Sequence, residues 1–324
     1  GLAVAVVLDE HDESLQEERV PTWHAREVMA ERARRAGAPL LLISPCPTVV
    51  ALAGRRLMAP DRAREKAAWP VVEVVDRRDD EPWKRSLLSS ELIAHLRAPG
   101  VRVACVLNTK GQARLLACRS CNALARCAVC DLAVVEQVEN RLDCDGCGAS
   151  RERMCASCGS TMLARVRPGV ARLRDEIEKA AARDVLAVTG NDKDLLDDAA
   201  ADVFIGTEAV LHRVRRIDVV AFLDFDSELL APRYRAGEQA LGLLARAARL
   251  VGDRRGGGRL LVQTTLPDHE VVRAAVEGDP GVVAAVESER RRMLRFPPES
   301  ALAIIEGDGS DEFSARLSGV GQVD

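Results

Sequence analysis

The chain has 324 residues and a formal net charge of −4, with 47% hydrophobic, 30% charged and only 3% aromatic residues. This is a globular composition, long enough for two ordinary domains whose cores must come from Leu, Val and Ala. It excludes a protein that grips nucleic acid through bulk positive charge, though not a local basic groove, and no apolar run reaches the roughly 18–20 residues of a membrane span.

With no signal peptide, a soluble cytoplasmic protein is expected, in which thiols stay reduced. The chain opens directly in an apolar run, Ala3 to Leu8, and closes soon after a new element begins. Both ends are therefore expected to cut through domains. Val4 to Leu8 is short, apolar and β-branched, which predicts a buried parallel strand. A helix follows from His24 to Ala36, then a second buried strand from Pro39 to Ser44. Arg55 to Ala68 is charged and interrupted by proline, the pattern of an inter-domain connection. Val71 to Val75 predicts a strand. Ser89 to Leu96 predicts a helix with a serine N-cap, and Val101 to Leu107 a strand ending in Asn108-Thr109-Lys110-Gly111.

A cysteine segment then intervenes, from Cys118 to Cys158. After it the alternation resumes: helix Arg172 to Ala182, strands Val185 to Val188, Val203 to Ile205 and Val219 to Leu223, helix Glu238 to Val251, and strand Arg259 to Gln263. Strands alternating with helices predict an α/β fold with a parallel sheet, interrupted by a cysteine-rich insertion.

Eight cysteines form four Cys-x-x-Cys pairs: Cys118/Cys121, Cys127/Cys130, Cys144/Cys147 and Cys155/Cys158. This spacing lets two thiolates reach one metal from a tight turn, and two pairs complete a tetrahedral four-thiolate site. Four pairs predict two structural zinc ions with no position left for water or substrate. A redox dithiol needs only one pair, and iron–sulfur ligation is the other alternative. Spacing leaves open whether the pairs combine sequentially or in a nested way. Cys46 and Cys105 read as small buried residues in apolar strands.

These words resemble the PriA family, the primosomal replication-restart proteins of the superfamily 2 DNA helicases, across nearly all of residues 1–300. Besides the cysteine words, the resemblance rests on Val74-Val75-Asp76-Arg77-Arg78, Leu87 to Leu92, Asn108 to Ala113, Gly206-Thr207, Pro232 to Glu238, Val262-Gln263-Thr264 and Glu289 to Pro298. It implies RecA-like helicase lobes with parallel sheets and an inserted two-zinc module. It also implies the nested pairing, with Cys118, Cys121, Cys155 and Cys158 on one ion and Cys127, Cys130, Cys144 and Cys147 on the other. The division that follows places 1–55 in the C-terminal part of lobe 1, 56–117 and 161–298 in lobe 2, 118–160 in the zinc module, and 299–324 at the start of a further domain. The implied partners are forked or single-stranded DNA, primosome proteins and single-strand-binding proteins.

The departures from the family pattern fall on the motor. Its Asp-Glu-Glu-His word, which supplies the Mg²⁺ carboxylate and the group that activates water, aligns with Leu8-Asp9-Glu10-His11. Its coupling word aligns with Ile43-Ser44-Pro45-Cys46-Pro47. The two arginine positions of its last motor word fall on Leu250 and Asp253, within Arg246 to Asp253. Asp9, Glu10 and His11 thus mark a degenerate nucleotide site. The expected function is fork or single-strand binding and reloading of the replication machinery without productive ATP turnover. The alternative is an active ATP-dependent 3′→5′ helicase with diverged motifs.

Several basic clusters invite a phosphate-binding reading, among them Arg32 to Arg35, Arg254-Arg255 and Arg290 to Arg292. Solvated helix faces balanced by nearby acids are the plainer account. Arg213, Arg215 and Arg216 are the best candidates for DNA contact, because they follow a strand at the expected cleft. His24 is expected to be structural, and Gly256 to Gly258 to form a turn.

Overall fold

The computed structural model describes residues 1–324 except 18, 20–21, 81–85, 109–115, 122, 124, 130–133, 135, 137–139, 145–147, 166–169, 189–200, 232, 303–304, 306 and 318–324. It opens with strand β1 (Ala5–Leu8), a single 3-10 turn at Glu13–Leu15, the short ladder of β2 (Gln16–Glu17) and β3 (Trp23–His24), helix α1 (Ala25–Ala36), strand β4 (Leu40–Ile43) and the turn-length helix α2 (Val49–Leu52). β1 and β4 pair in parallel. The sequence predicts both as buried, and the structure corrects this. Ala5 and Val7 are buried, but Val6, Leu8, Leu41 and Ile43 are exposed. Paired residues of parallel strands share a face, so α1 covers one face of this two-stranded sheet. The opposite face is bare among the described residues.

The connection holds more structure than its charge and prolines predict. Helix α3 (Arg62–Ala68) is capped by the Asp61 carboxylate, which accepts from the Arg64 N–H at 2.9 Å. Next come β5 (Val71–Asp76), α4 (Ser90–Arg97) with the predicted Ser89 cap, and β6 (Val103–Val106). The insertion carries β7 (Leu116–Cys118), β8 (Arg141–Asp143), β9 (Ser150–Glu152) and β10 (Leu163–Arg165). The main domain resumes with α5 (Val170–Ala181), β11 (Val185–Val188), β12 (Val203–Gly206), α6 (Val210–Arg213), β13 (Val219–Phe222), α7 (Asp226–Leu229), α8 (Ala236–Val251) and β14 (Arg259–Thr264). Beyond the last predicted strand the structure adds α9 (Glu270–Glu277), α10 (Pro280–Leu294) and α11 (Ser310–Arg316). Asp279 caps α10 and Pro280 occupies its first turn, where a missing N–H costs nothing.

Six strands form one parallel sheet in the order β11-β12-β6-β13-β14-β5. It is an open α/β sheet of the RecA-like kind. Alternate residues feed two cores. Val106, Phe204, Val220, Phe222 and Val262 face α8 and α9, while Val103, Ile205, Val219 and Leu261 face Leu92 and Leu96 of α4 and Leu173 and Ile177 of α5. Burial on both faces explains why these strands read as unbroken apolar runs. Cys105 is fully buried in β6. Cys46 lies past the end of β4, in a turn packed against the α8 core, rather than in a strand.

The insertion leaves after β6 and returns before α5. Its entry and exit strands β7 and β10 are antiparallel partners, with Leu163 opposite Cys118. The main sheet therefore needs no rearrangement to accommodate it.

Candidate functional site

Cys118 closes β7, and its N–H donates to the Ala123 carbonyl at 2.9 Å, folding the chain back within five residues. Cys155 repeats this turn: its N–H donates to Ser160 O, and the Gly159 N–H returns to Cys155 O at 2.9 Å. Gly159 takes φ +72°, a conformation in which a side chain is strained. The two turns face each other. Cys118 Sγ lies 3.6 Å from Cys158 Sγ and Cys121 Sγ 3.5 Å from Cys155 Sγ, and all four sulfurs fall within 4.8 Å of one another. Four thiolates at about 2.3 Å from a tetrahedral zinc lie about 3.8 Å apart, so the spacing suits such an ion.

The four thiols do not ionise alike. Burial opposes ionisation of Cys118, but the N–H groups of Cys121 and Ser120, together with the thiols of Cys158 and Cys155, outweigh it and bring the thiol down to about 6. The Ser160 N–H favours the thiolate of Cys158, yet its contacts with neighbouring sulfurs, beginning with Cys121, push it up to about 12. Four crowded sulfurs cannot all shed their protons without a compensating positive charge.

The second quartet is described in part. Cys127 and Cys144 are buried in the same small core, while Cys130 and Cys147 lie outside the described residues. The described halves copy the first site. Cys127 Sγ accepts from the Val129 N–H at 3.4 Å, as Cys118 Sγ does from Ser120. The Cys144 N–H donates to Ala149 O, and Gly148, at φ +71°, returns its N–H to Cys144 O.

A second polar centre lies where residues 9–13 meet α8. Asp9, at φ +52° just past β1, receives Arg249 through both carboxylate oxygens, Nη1 to Oδ2 at 2.6 Å. That hydrogen bond holds the Asp9 carboxyl below the usual carboxylate range. Asp12 pairs with Arg246 at 2.5 Å. Burial opposes its ionisation, but the Ser14 backbone N–H and Arg246 together lower it. Glu10 is fully buried. Its Oε1 accepts from the Thr48 N–H at 2.7 Å, and its Oε2 from Arg26 Nη1 at 2.7 Å and Thr48 Oγ1 at 2.9 Å. His11 Nδ1 lies 2.8 Å from Ser44 Oγ, and burial lowers its basicity.

No family model matches the chain. Among curated proteins it is 26% identical over 330 residues to the replication restart protein PriA of Bacillus subtilis, covering 94% of this chain and 41% of that protein. It is 27% identical to the PriA of Chlamydia pneumoniae, covering 92% and 44%, and 28% identical to that of Thermotoga maritima, covering 92% and 43%. The chain is PriA-like along nearly its whole length. It spans less than half of each of these three relatives.

Against the PriA pattern the cleft changes meaning. Leu8, which the sequence resemblance places where the family pattern has its Mg²⁺ carboxylate, is exposed. The positions that the resemblance assigns to the motor arginines are Leu250 and Asp253, and the arginines that do reach the acidic strand end, Arg246 and Arg249, stand four residues earlier, about one helical turn. Asp253 has other work: its Oδ1 accepts from the Gly256 N–H at 2.7 Å and closes the predicted glycine turn. A Cβ on Gly258 would lie 2.6 Å or less from the carbonyl oxygens of Val251 and Gly252, so that turn requires glycine.

Of the proposed DNA contacts, Arg213 ends α6 half-buried and Arg215 and Arg216 are exposed before β13. Arg216 already has a partner within the chain. The cluster adjoins the cleft, since Arg246 Nη1 lies 3.0 Å from Nε2 of His212. Lys110 and Gly111 lie outside the described residues.

A buried ionic chain went unread in the sequence. Glu238 accepts from the Val49 N–H at 2.7 Å and from Arg291 Nη2 at 2.7 Å, and Arg291 also faces Glu287. Arg291 is 1% exposed and stacks over Tyr234, which corrects its expected place on a solvated helix face. Its flanking arginines do face outward, Arg290 toward Glu270 and Arg292 toward Glu289. The available signal was Glu287 at i−4 from Arg291 on one helix.

Proposed function

We propose that this chain belongs to a replication-restart protein that binds forked or single-stranded DNA and helps reload the replication machinery without productive ATP hydrolysis. The observation that carries this reading is the commitment of both acidic groups at the end of β1. Asp9 is held by Arg249, and Glu10 is enclosed by Arg26 and Thr48. A metal-binding carboxylate must keep an open oxygen, and a group that activates water must reach that water. Neither arrangement favours turnover.

Two zinc ions would be structural, one on Cys118, Cys121, Cys155 and Cys158, the other on Cys127, Cys130, Cys144 and Cys147. They would fix the turns of an insertion comprising residues 118–160, within a lobe built from 56–117 and 161–298. Residues 1–55 would close an earlier lobe, and 299–324 would begin another domain. Arg213, Arg215 and Arg216 would meet DNA phosphate, and primosome and single-strand-binding proteins would be the protein partners. The proposed place of action is the cytoplasm, and no helix among the described residues is long and apolar enough to cross a membrane.

DNA-stimulated ATP hydrolysis by the full-length protein, measured beside fork-DNA binding over a range of salt, tests this reading. Fork binding that weakens with salt, without hydrolysis, is the expected result. Hydrolysis abolished by Asp9→Asn or Glu10→Gln would instead establish a working helicase with diverged motifs.

A further inference from the structure

Residues 1–55 and helix α8 meet through three different kinds of contact. At the rim are the ion pairs Asp9–Arg249 and Asp12–Arg246, with Gln239 donating to Glu13 beside them. Beneath the rim the His11 ring lies against bare helix backbone. A Cβ at Gly242 would fall 3.1 Å from His11 Cδ2, closer than most real Cβ contacts. Deeper still, Glu238 accepts the Val49 N–H while pairing with the buried Arg291.

We propose that these contacts form an intramolecular latch that holds residues 1–55 closed on the main sheet without nucleotide. In a cleft closed by a ligand, each wall presents groups whose charge the ligand completes. Here the walls complete each other: two carboxylates on one side meet two guanidinium groups on the other, one for one. A ligand shifts a conformational equilibrium only through differential affinity for the two states. A Mg²⁺-nucleotide would therefore have to displace two ion pairs before it could favour closure. Gly242 permits the close approach, and Glu238 sets the register by tying the start of α2 to α8. The inference goes beyond the proposed function, since a chain that bound no DNA could carry the same latch.

The test is a distance measurement in the 324-residue chain. Spin labels carried on non-natural residues replace Val28 on α1 and Val276 on α9, both exposed. Pulsed dipolar spectroscopy is recorded with and without a non-hydrolysable ATP analogue and Mg²⁺. The expected distribution is single and narrow, and the analogue leaves it unchanged. Arg246→Asp with Arg249→Asp should broaden it toward longer distances. Adding Asp9→Arg and Asp12→Arg, which restores the pairing with reversed sign, should narrow it again and show that the broadening is not misfolding. A native distribution that moves on adding the analogue overturns the latch. So does a charge-reversed chain as narrow as the native one, or a swapped chain that stays broad. None of these readings depends on ATPase or DNA-binding activity.

Discussion

The cysteine-rich insertion and the six-stranded sheet that carries it occupy adjacent stretches of one chain, yet they are held together by different means. The sheet buries apolar side chains on both faces, with Phe204, Phe222, Leu244 and Val271 on one side and Leu92, Leu96, Leu173 and Ile177 on the other. The insertion has a core of nine described residues, four of them cysteines: Cys118, Cys127, Cys144 and Cys155. A unit near 40 residues buries too little apolar surface to fold alone and usually needs a metal or disulfides. The difference teaches that the same chain spends its hydrophobic residues where layers can be stacked, and its cysteines where they cannot.

Metal removal should break this contrast most sharply. Chelation, or Cys155→Ser, is expected to unfold the insertion while the main sheet survives, because metal binding in so small a unit is folding free energy. Hydrogen exchange would show it as lost protection in β7 to β10 with β12 and β13 still protected. Bound zinc should fall by one ion for Cys155→Ser. Loss of protection across the whole sheet would mean that the two regions are not independent.

The next effect lies in the main domain. Glu238→Ala leaves Arg291 buried beside a single remaining carboxylate, Glu287. Breaking a buried pair by removing one partner costs about 3–5 kcal/mol, and urea unfolding should report a loss of that order.

A smaller effect should appear with pH. His24 caps α1 by accepting the Arg26 N–H on Nδ1, and its Nε2 is buried without a partner. Burial, reinforced by Arg26 and Arg235, pushes its pKa down to about 4 from an ordinary 6.5. The unfolded chain therefore takes up a proton first. Stability is complete above about pH 6.5 and falls as pH drops toward 4, by at most about 3 kcal/mol at one pKa unit per 1.4 kcal/mol. His24→Asn keeps a capping acceptor that does not titrate, and should flatten the pH dependence of unfolding in that window.

The smallest effect is expected at the rim of the cleft. Arg249→Ala removes a half-exposed pair with Asp9 and should cost no more than about 1 kcal/mol. The thermal midpoint would move little even though the distance distribution between α1 and α9 changes. A loss of several kcal/mol would show that the pair is more deeply coupled to the fold than its exposure allows.

Much of the architecture was legible in advance for local reasons. Val103–Val106, Val203–Gly206 and Val219–Phe222 are apolar, β-branched runs bounded by polar residues, the pattern of strands covered on both faces. Ser89 announced its helix by its capping chemistry, and the Cys-x-x-Cys spacing announced metal-binding turns because ligand geometry is set within four residues. The same patterning misjudged β1 and β4, whose apolar outer face meets no covering layer among the described residues. Periodicity states which residues prefer burial, not whether anything is there to bury them.

What the amino-acid sequence determined by itself was the order and kind of elements and the eight cysteines in their paired spacing, since these follow from backbone geometry and ligand chemistry over a few residues. Only the tertiary structure decided who meets whom. Asp9 and Arg249 stand 240 positions apart, and Val49 and Glu238 stand 189 apart. Whether a carboxylate is open to a metal or already paired with a guanidinium depends on how α8 meets residues 9–13. No local pattern encodes that contact, because its energy comes from charges that the folded chain alone brings together.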